Sequence, residues 1–178
     1  MKLPSPWTQL PRTAAYRGVT RTGSAGTPRR NVVLNRGMGP AGSIREKRYV
    51  AALVIGLGGF EGIDARFGPN AGEDLLFGVA ERLCEVFPPP AAVARIAVDE
   101  FAALLEGLAR PSNAERAGQR VLGALAPEFK LGTGALRLEA SIGIALGRVA
   151  ADGDTLLDQA RSTMAAQRRL SGQGIRLA

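Results

Sequence analysis

The apolar residues from Tyr49 onward predict an alternation of strands and helices. Residues 49–57 form a continuous apolar run rich in strand-favouring residues, which is typical of a strand buried on both faces. Farther along, apolar residues recur every three or four positions, as in a helix with one buried face. These residues are Leu75, Leu76, Val79, Leu83 and Val86. The prolines at 88–90 end this helix.

The remaining elements follow from shorter patterns of the same two kinds. In chain order we predict a short helix, two hairpin strands, a helix, an alternating strand, a helix and a closing strand, at 60–67, 93–96, 101–105, 113–125, 136–145, 154–170 and 175–177. The acidic pair Asp99-Glu100 lies between the hairpin strands. Polar residues that precede helices are predicted to cap them, and these are Asn70, Ser112 and Asp154.

The resulting order, β-α-α-β-β-α-β-α-β, predicts an α+β fold. It contains the β-α-β-β-α-β core of a ferredoxin-like sheet, the palm layout shared by polymerases and nucleotidyl cyclases. We therefore expect an antiparallel sheet of about five strands with flanking helices packed on one face. The fold alone does not decide the function, because one layout serves many chemistries.

Positive charge is concentrated at the start of the chain. Residues 1–48 hold ten Lys or Arg against one acid, a net +9, whereas the rest holds thirteen basic and fifteen acidic residues, a net −2. This Pro- and Gly-containing segment buries too little apolar surface to offset the entropy of ordering it. We predict a basic, disordered extension at 1–48 and a domain at 49–178. The extension is either an arm for an anionic partner or a solvated linker, and its apolar patch Asn31–Leu34 is a segment that would dock on the domain or on a partner.

Composition excludes several classes of site. The chain has no histidine, so His-dependent triads and His-ligated zinc are absent. Its single cysteine, Cys84, forms no internal disulfide and is predicted to be a small core residue. No apolar run approaches the roughly 20 residues that cross a bilayer. We expect a cytoplasmic protein, with a transit peptide as the alternative interpretation of the Arg-rich start.

Four segments of the domain carry recognisable motifs. The hairpin at 93–105 is VARIAVDEFAALL, the strand at 140–145 is ASIGIA, the helix at 72–83 is GEDLLFGVAERL, and the first strand ends in LVIGLGGF at 53–60. These segments resemble VARxGGDEFxxLL, SIGIA, GDxLLxxVAxRL and LxxDLDxFK of the diguanylate cyclase (GGDEF) family, in the same order and spacing. The domain is therefore identified as a degenerate member of that family.

The resemblance implies a chemistry for which this chain lacks several residues. Family members condense two GTP molecules into cyclic di-GMP, with Mg²⁺ held by an Asp that ends the first strand and by the third residue of the GGDEF motif. Gly56 stands at the first of these positions and Asp99 at the second, which leaves Asp99 as a vestigial metal ligand or part of a solvated hairpin tip. The corresponding vestigial motif is Ala97, Val98, Asp99, Glu100 and Phe101. A β-branched Val98 in place of glycine restricts the backbone and adds bulk near the phosphates.

The family's nucleotide-binding positions fall on three residues. The guanine-reading Asn corresponds to Asp64, its partner Asp to Glu73, and a phosphate-binding Lys to Arg168. Asp64 lacks the amide donor, whereas Glu73 retains a carboxylate. Arg168 either binds a phosphate or is a solvated helix end. The inhibitory product site of the family would lie at Pro88 and Ala91 and is absent.

The sequence favours a catalytically inactive GGDEF-like module that acts by protein contact in bacterial cyclic di-GMP signalling. Its expected partner is another protein or a second copy of itself. Two alternatives stay open: a GTP sensor that uses the residual nucleotide pocket, and a weakly active diguanylate cyclase. No cofactor is expected, with Mg²⁺ only alongside bound nucleotide.

Overall fold

The computed structural model describes residues 33–35, 49–88, 91–132, 134–148, 151–171 and 174–177. Its helices and strands in chain order are β1 (Val33–Asn35), β2 (Tyr49–Gly58), α1 (Ile63–Phe67), α2 (Ala71–Val86), β3 (Ala92–Arg95), β4 (Glu100–Leu108), α3 (Ser112–Leu125), β5 (Phe129–Leu131), β6 (Gly134–Leu136), β7 (Glu139–Arg148), α4 (Gly153–Ser171) and β8 (Gly174–Leu177).

A six-stranded sheet in the order β1-β3-β4-β2-β7-β8 organises these elements. The long strand β2 pairs antiparallel with both β4 and β7, which places it inside the sheet. The edge strand β8 pairs parallel with β7 and so departs from the predicted antiparallel pattern, because a helical crossover, α4, joins the two strands. The predicted α+β fold with flanking helices is confirmed, and β5 and β6 form a separate small sheet.

Strand β1 falls inside the extension predicted at 1–48. Its backbone pairs antiparallel with β3, with Val33 opposite Ala94 and Asn35 opposite Val93. The described part of the apolar patch Asn31–Leu34 therefore docks on the edge of the sheet. The predicted disorder of the other extension residues and their predicted anionic partner lie outside the described residues.

Helices cover both faces of the sheet, which corrects the prediction that they pack on one face. The odd-numbered residues from Ala51 to Leu57 join a large apolar cluster with α1, α2 and α3. The even-numbered residues from Val50 to Val54 join a second cluster with α4. A strand that is apolar at every position must be covered on both sides, so the apolar run 49–57 explains why helices pack on both faces of the sheet.

Helix α1 starts later than predicted, and the predicted cap of α2 lacks its side-chain hydrogen bond. Helix α1 begins at Ile63 rather than at residue 60, because Gly62 has a left-handed φ of 72° through which a helix cannot continue. Asn70 also has a left-handed φ, 70°, and makes no side-chain capping bond to α2. The turn before α2 is therefore shaped by backbone conformation rather than by the predicted cap.

Three predicted features after the hairpin are also corrected. Ser112 lies inside α3 and is not its cap. Helix α4 is capped by Asp152 rather than Asp154, because the Asp152 carboxylate accepts a hydrogen bond from Thr155 N at 3.2 Å. The predicted strand 136–145 divides between β6 and β7, since its first residue, Leu136, pairs with Phe129 of β5.

Cys84 on α2 is half-buried and packs against the larger apolar cluster, in partial agreement with its predicted core position. Burial, and secondarily the charge of Glu81, raises the pKa of the thiol. The stability that the neutral thiol contributes is complete below the unfolded pKa and is lost as the pH rises through the folded pKa.

Slow alkylation of Cys84 is the expected consequence. At mildly alkaline pH, iodoacetamide should react several-fold more slowly with the folded protein than with the urea-unfolded chain, roughly as the thiolate fractions differ. Mass spectrometry follows the reaction without ambiguity, because the chain has one cysteine. Equal rates in the two states across the pH range would contradict the raised pKa.

Candidate functional site

Backbone hydrogen bonds fix the tip of the β3–β4 hairpin against the end of β2. Leu57 N donates to Asp99 O at 2.9 Å, and Gly56 is opposite Glu100 in the register of β2 and β4. Across the turn, Ala97 N donates to Glu100 O at 3.2 Å. The acidic pair Asp99-Glu100 therefore lies directly beside the last residues of β2.

Arg95 braces the turn of this hairpin. Its Nε donates to Ala97 O at 3.0 Å and its Nη2 donates to Val98 O at 2.6 Å. Burial lowers the pKa of Arg95, and the charges of Glu73 and Asp99 oppose that shift. Neither Ala97 nor Val98 has a positive φ, so this turn carries side chains at both positions without the backbone freedom of glycine.

Helix α4 supplies an arginine to each acid of the hairpin. Arg161 donates to Glu100 Oε2 from Nε at 2.7 Å and from Nη2 at 2.5 Å. Arg168 Nη2 donates to Asp99 Oδ2 at 3.0 Å and to the carbonyl oxygen of Leu57. In this structure both acids of the hairpin are therefore ion-paired with arginines of one helix.

Arg161 is a site residue that sequence reasoning missed. It lies seven residues before Arg168 on α4, a spacing that places both side chains on the same face about two turns apart. That spacing, together with two consecutive acids in the hairpin, was the available signal. Arg168, the residue predicted to bind a phosphate, donates to Asp99 and to the Leu57 carbonyl oxygen in this structure.

The space beside Gly56 is filled by side chains of α4. A Cβ atom at Gly56 would lie 2.6 Å from Met164 Sδ and 3.3 Å from Arg168 Nη2. Met164 is buried in the cluster beneath α4. A side chain at position 56 would therefore have to displace Met164, and it would meet a guanidinium directly.

The residues present do not fit the divalent metal that the family implies. Magnesium takes oxygen ligands, usually with one or two carboxylates. Gly56 offers no carboxylate, and Asp99 Oδ2 and the Leu57 carbonyl oxygen already accept hydrogen bonds from a cationic side chain. Within the described ranges, no group of three or more His, Cys, Asp or Glu is arranged to hold a metal.

A separate cleft of about 340 Å³ opens between α1 and the start of α2. Its lining includes Asp64 and Glu73, two of the residues predicted to bind nucleotide, together with Arg95 and Val98. The Asp64 carboxylate is partly engaged, because its Oδ1 accepts a hydrogen bond from the backbone N–H of the first turn of α2 at 2.8 Å. The structure thus brings Asp64 and Glu73 together, whereas the third predicted residue lies in the contact with Asp99.

The sequence matches the family model described as diguanylate cyclase, GGDEF domain, over residues 37–173. The chain belongs to the GGDEF family. This GGDEF domain is 32% identical over 104 residues to the bifunctional diguanylate cyclase/cyclic di-GMP phosphodiesterase MucR of Pseudomonas aeruginosa. The match covers 58% of the chain and 15% of MucR, so the chain spans a small part of that relative's length.

Solved GGDEF structures share the fold. The GGDEF domain of TpbB (YfiN) from Pseudomonas aeruginosa has a TM-score of 0.68 and 32% identity, and the match covers 74% of this chain and 77% of that one. The diguanylate cyclase SiaD of the same organism, solved in complex with its activator SiaC, has a TM-score of 0.66 and 21% identity, with 74% and 50% covered. The family predicted from the four motifs is confirmed.

None of the helices in the described ranges combines the length and the apolar character needed to cross a bilayer.

Proposed function

We propose that this GGDEF domain does not synthesise cyclic di-GMP and acts as a cytoplasmic regulatory module that contacts another protein or a second copy of itself. The observation that carries the proposal is the guanidinium of Arg168, which lies on the Asp99 carboxylate and the Leu57 carbonyl. In a cyclase, acids at this end of the sheet hold the metal that neutralises phosphate charge. Here the cation is a side chain that is already bonded to those oxygens.

The expected loss in the rate of cyclic di-GMP synthesis is large. Removing one metal carboxylate from a metal-dependent phosphoryl transfer costs on the order of 10³-fold or more in rate. Val98 adds a branched side chain at the turn that the phosphates would approach. Because metal binding and phosphate approach are different requirements of the reaction, the two losses combine.

Protein contact is supported by the existence of a complex between a protein that shares this fold and a partner protein. SiaD, which shares this fold, was solved with a protein activator bound. In this chain the side chain of Val98 is 61% exposed on a turn that Arg95 holds in place. An apolar side chain on a braced turn suits a protein contact better than it suits a triphosphate.

A second function, GTP sensing, is supported by the cleft. Asp64 and Glu73 occupy the family's guanine-reading positions and line the cleft together. Carboxylates at those positions accept hydrogen bonds from the donor edge of guanine. Such binding would depend on the cleft and not on Arg168, because the arginine is held by Asp99 and Leu57.

Titration calorimetry with GTP, with and without Mg²⁺, together with an assay for cyclic di-GMP, tests the proposal on the full chain. We expect no product and no saturable binding in the micromolar range, with MucR as the positive control for synthesis. Saturable binding that Glu73→Ala abolishes would replace the interaction module by the GTP sensor. Formation of cyclic di-GMP by the purified protein would overturn both.

A further inference from the structure

We propose that Arg168 is a resident cation that occupies the position of a divalent metal and, together with Arg161, fastens α4 to the Asp99-Glu100 hairpin. This role does not depend on the proposed regulatory function. A GGDEF domain can lack cyclase activity without holding a cation of its own, so the two proposals can fail separately.

One nitrogen of Arg168 connects the end of β2 to the turn of the β3–β4 hairpin. Nη2 carries two hydrogens, and it donates to the Leu57 carbonyl oxygen at the end of β2 and to Asp99 Oδ2 at 3.0 Å. A backbone carbonyl and a carboxylate are the kinds of oxygen ligand that a small divalent cation would take. Arginine presents its positive charge through fixed N–H donors that match carboxylate oxygens, so its side chain can stand between these two oxygens in place of a metal.

Gly56 and Arg168 complement each other in space and in charge. The nearest neighbours of a Cβ at position 56 would be Met164 Sδ at 2.6 Å, Met164 Cε at 3.1 Å and Arg168 Nη2 at 3.3 Å. An aspartate there would force the flexible end of Met164 aside and would place a second carboxylate against the guanidinium. The absence of an acid at position 56 and the presence of the Arg168 guanidinium beside it are therefore two parts of the same packing arrangement.

Arg161 extends the same contact along α4. It binds Glu100 Oε2 through two nitrogens, whereas Arg168 binds Asp99, so each acid of the hairpin has its own arginine on one helix. The first pair contains a well-covered carboxylate, since the Glu100 side chain is 17% exposed. Asp99 and Glu100, which match the acids of the family motif, thus act in this chain as ion-pair partners of α4.

Binding of Mn²⁺, followed by electron paramagnetic resonance on the full chain, tests the proposal. Mn²⁺ uses the same oxygen ligands as Mg²⁺. The wild-type protein should show no saturable binding in the low millimolar range. Arg168→Met frees both oxygens and should raise the Mn²⁺ affinity by about tenfold or more, the scale of removing one nearby positive charge. Arg168→Lys keeps the charge and should behave as the wild type.

Position 56 supplies a matched pair of variants. Gly56→Asp alone should remain without Mn²⁺ binding, because Arg168 neutralises the new carboxylate. Gly56→Asp combined with Arg168→Met should bind Mn²⁺ most tightly, with two carboxylates and no cation in place. Mn²⁺ binding to Gly56→Asp that equals binding to the double variant would refute the resident cation.

Melting temperature gives a readout that needs no metal. Asp99→Asn and Arg168→Met should each lower it, and the double variant should lower it by less than the sum, because both changes break one contact. Additive shifts would refute the fastening role. If Arg168→Met does not fold, a folded Arg168→Lys supports the proposal and an unfolded one contradicts it. The proposed function shares the Arg168 contact, and the assay for cyclic di-GMP, which is a separate measurement, distinguishes its failure from failure of the resident cation.

Discussion

Replacing Gly143 with alanine should cost about 3 kcal/mol or more of unfolding free energy, at or beyond the upper range for overpacking a core. Helix α4 lies so close to β7 that a Cβ at Gly143 would be 2.0 Å from Ala160 O and 2.3 Å from Met164 N. Both obstacles are backbone atoms, so relief requires the whole helix to move away from the sheet. Urea unfolding followed by circular dichroism measures the loss.

Gly123→Ala is the matched control for this substitution. Gly123 lies within α3, and a Cβ there would meet no atom within 4 Å. Alanine has the higher helix propensity, so this variant should gain about 0.5–1 kcal/mol. A Gly143→Ala protein as stable as the wild type would show that α4 does not pack on β7 as closely as described.

Phe101→Ala should lower the unfolding free energy by about 3–5 kcal/mol, the range for truncating a large buried aromatic side chain. Phe101 follows the acidic pair of the hairpin and is 1% exposed, within the cluster beneath α1, α2 and α3. Its ring is part of the core and not of the hairpin tip. Thermal and urea unfolding both report the change.

Val98→Ala, three residues earlier in the same hairpin, is expected to have little effect on stability. Its side chain is 61% exposed, and truncation should change stability by less than about 0.5 kcal/mol. A large loss in Val98→Ala, or a small one in Phe101→Ala, would mean that the two side chains point the other way. The two variants together therefore test whether Phe101 points into the core and Val98 points to solvent.

Most of the fold is predictable from the sequence because local patterns of apolar and polar residues identify its helices and strands. The apolar run 49–57 and the helical spacing of α2 identify two elements, and the four motifs identify the family. The error about the helices came from assigning them all to one face, although a strand with no polar position needs cover on both. The predicted caps were wrong for a different reason, since Asn70 precedes α2 but has a left-handed backbone, and Ser112 lies inside α3.

The candidate site is predictable only in part. The acids Asp99 and Glu100 and the glycine that replaces their partner can be identified by motif alone. Their contacts with Arg168 and Arg161 cannot, because the partners are 69 and 61 residues apart in the chain. One sequence does not tell which face of α4 meets the hairpin, and that face decides whether an arginine binds a phosphate or an acid.

The parallel pairing of β7 and β8 affects the order in which the domain assembles. Strands β3 and β4 are joined by a tight turn, whereas Ser141 of β7 meets Gly174 of β8 only across the whole of α4. Closing such a crossover costs chain entropy before any contact repays it, so this pair forms late. Until then the outer edge of β7 has unpaired backbone groups that can join a strand of another molecule. For a chain leaving the ribosome, the pairing of β8 covers this edge of β7 and leaves the four-residue strand β8 as the edge of the sheet.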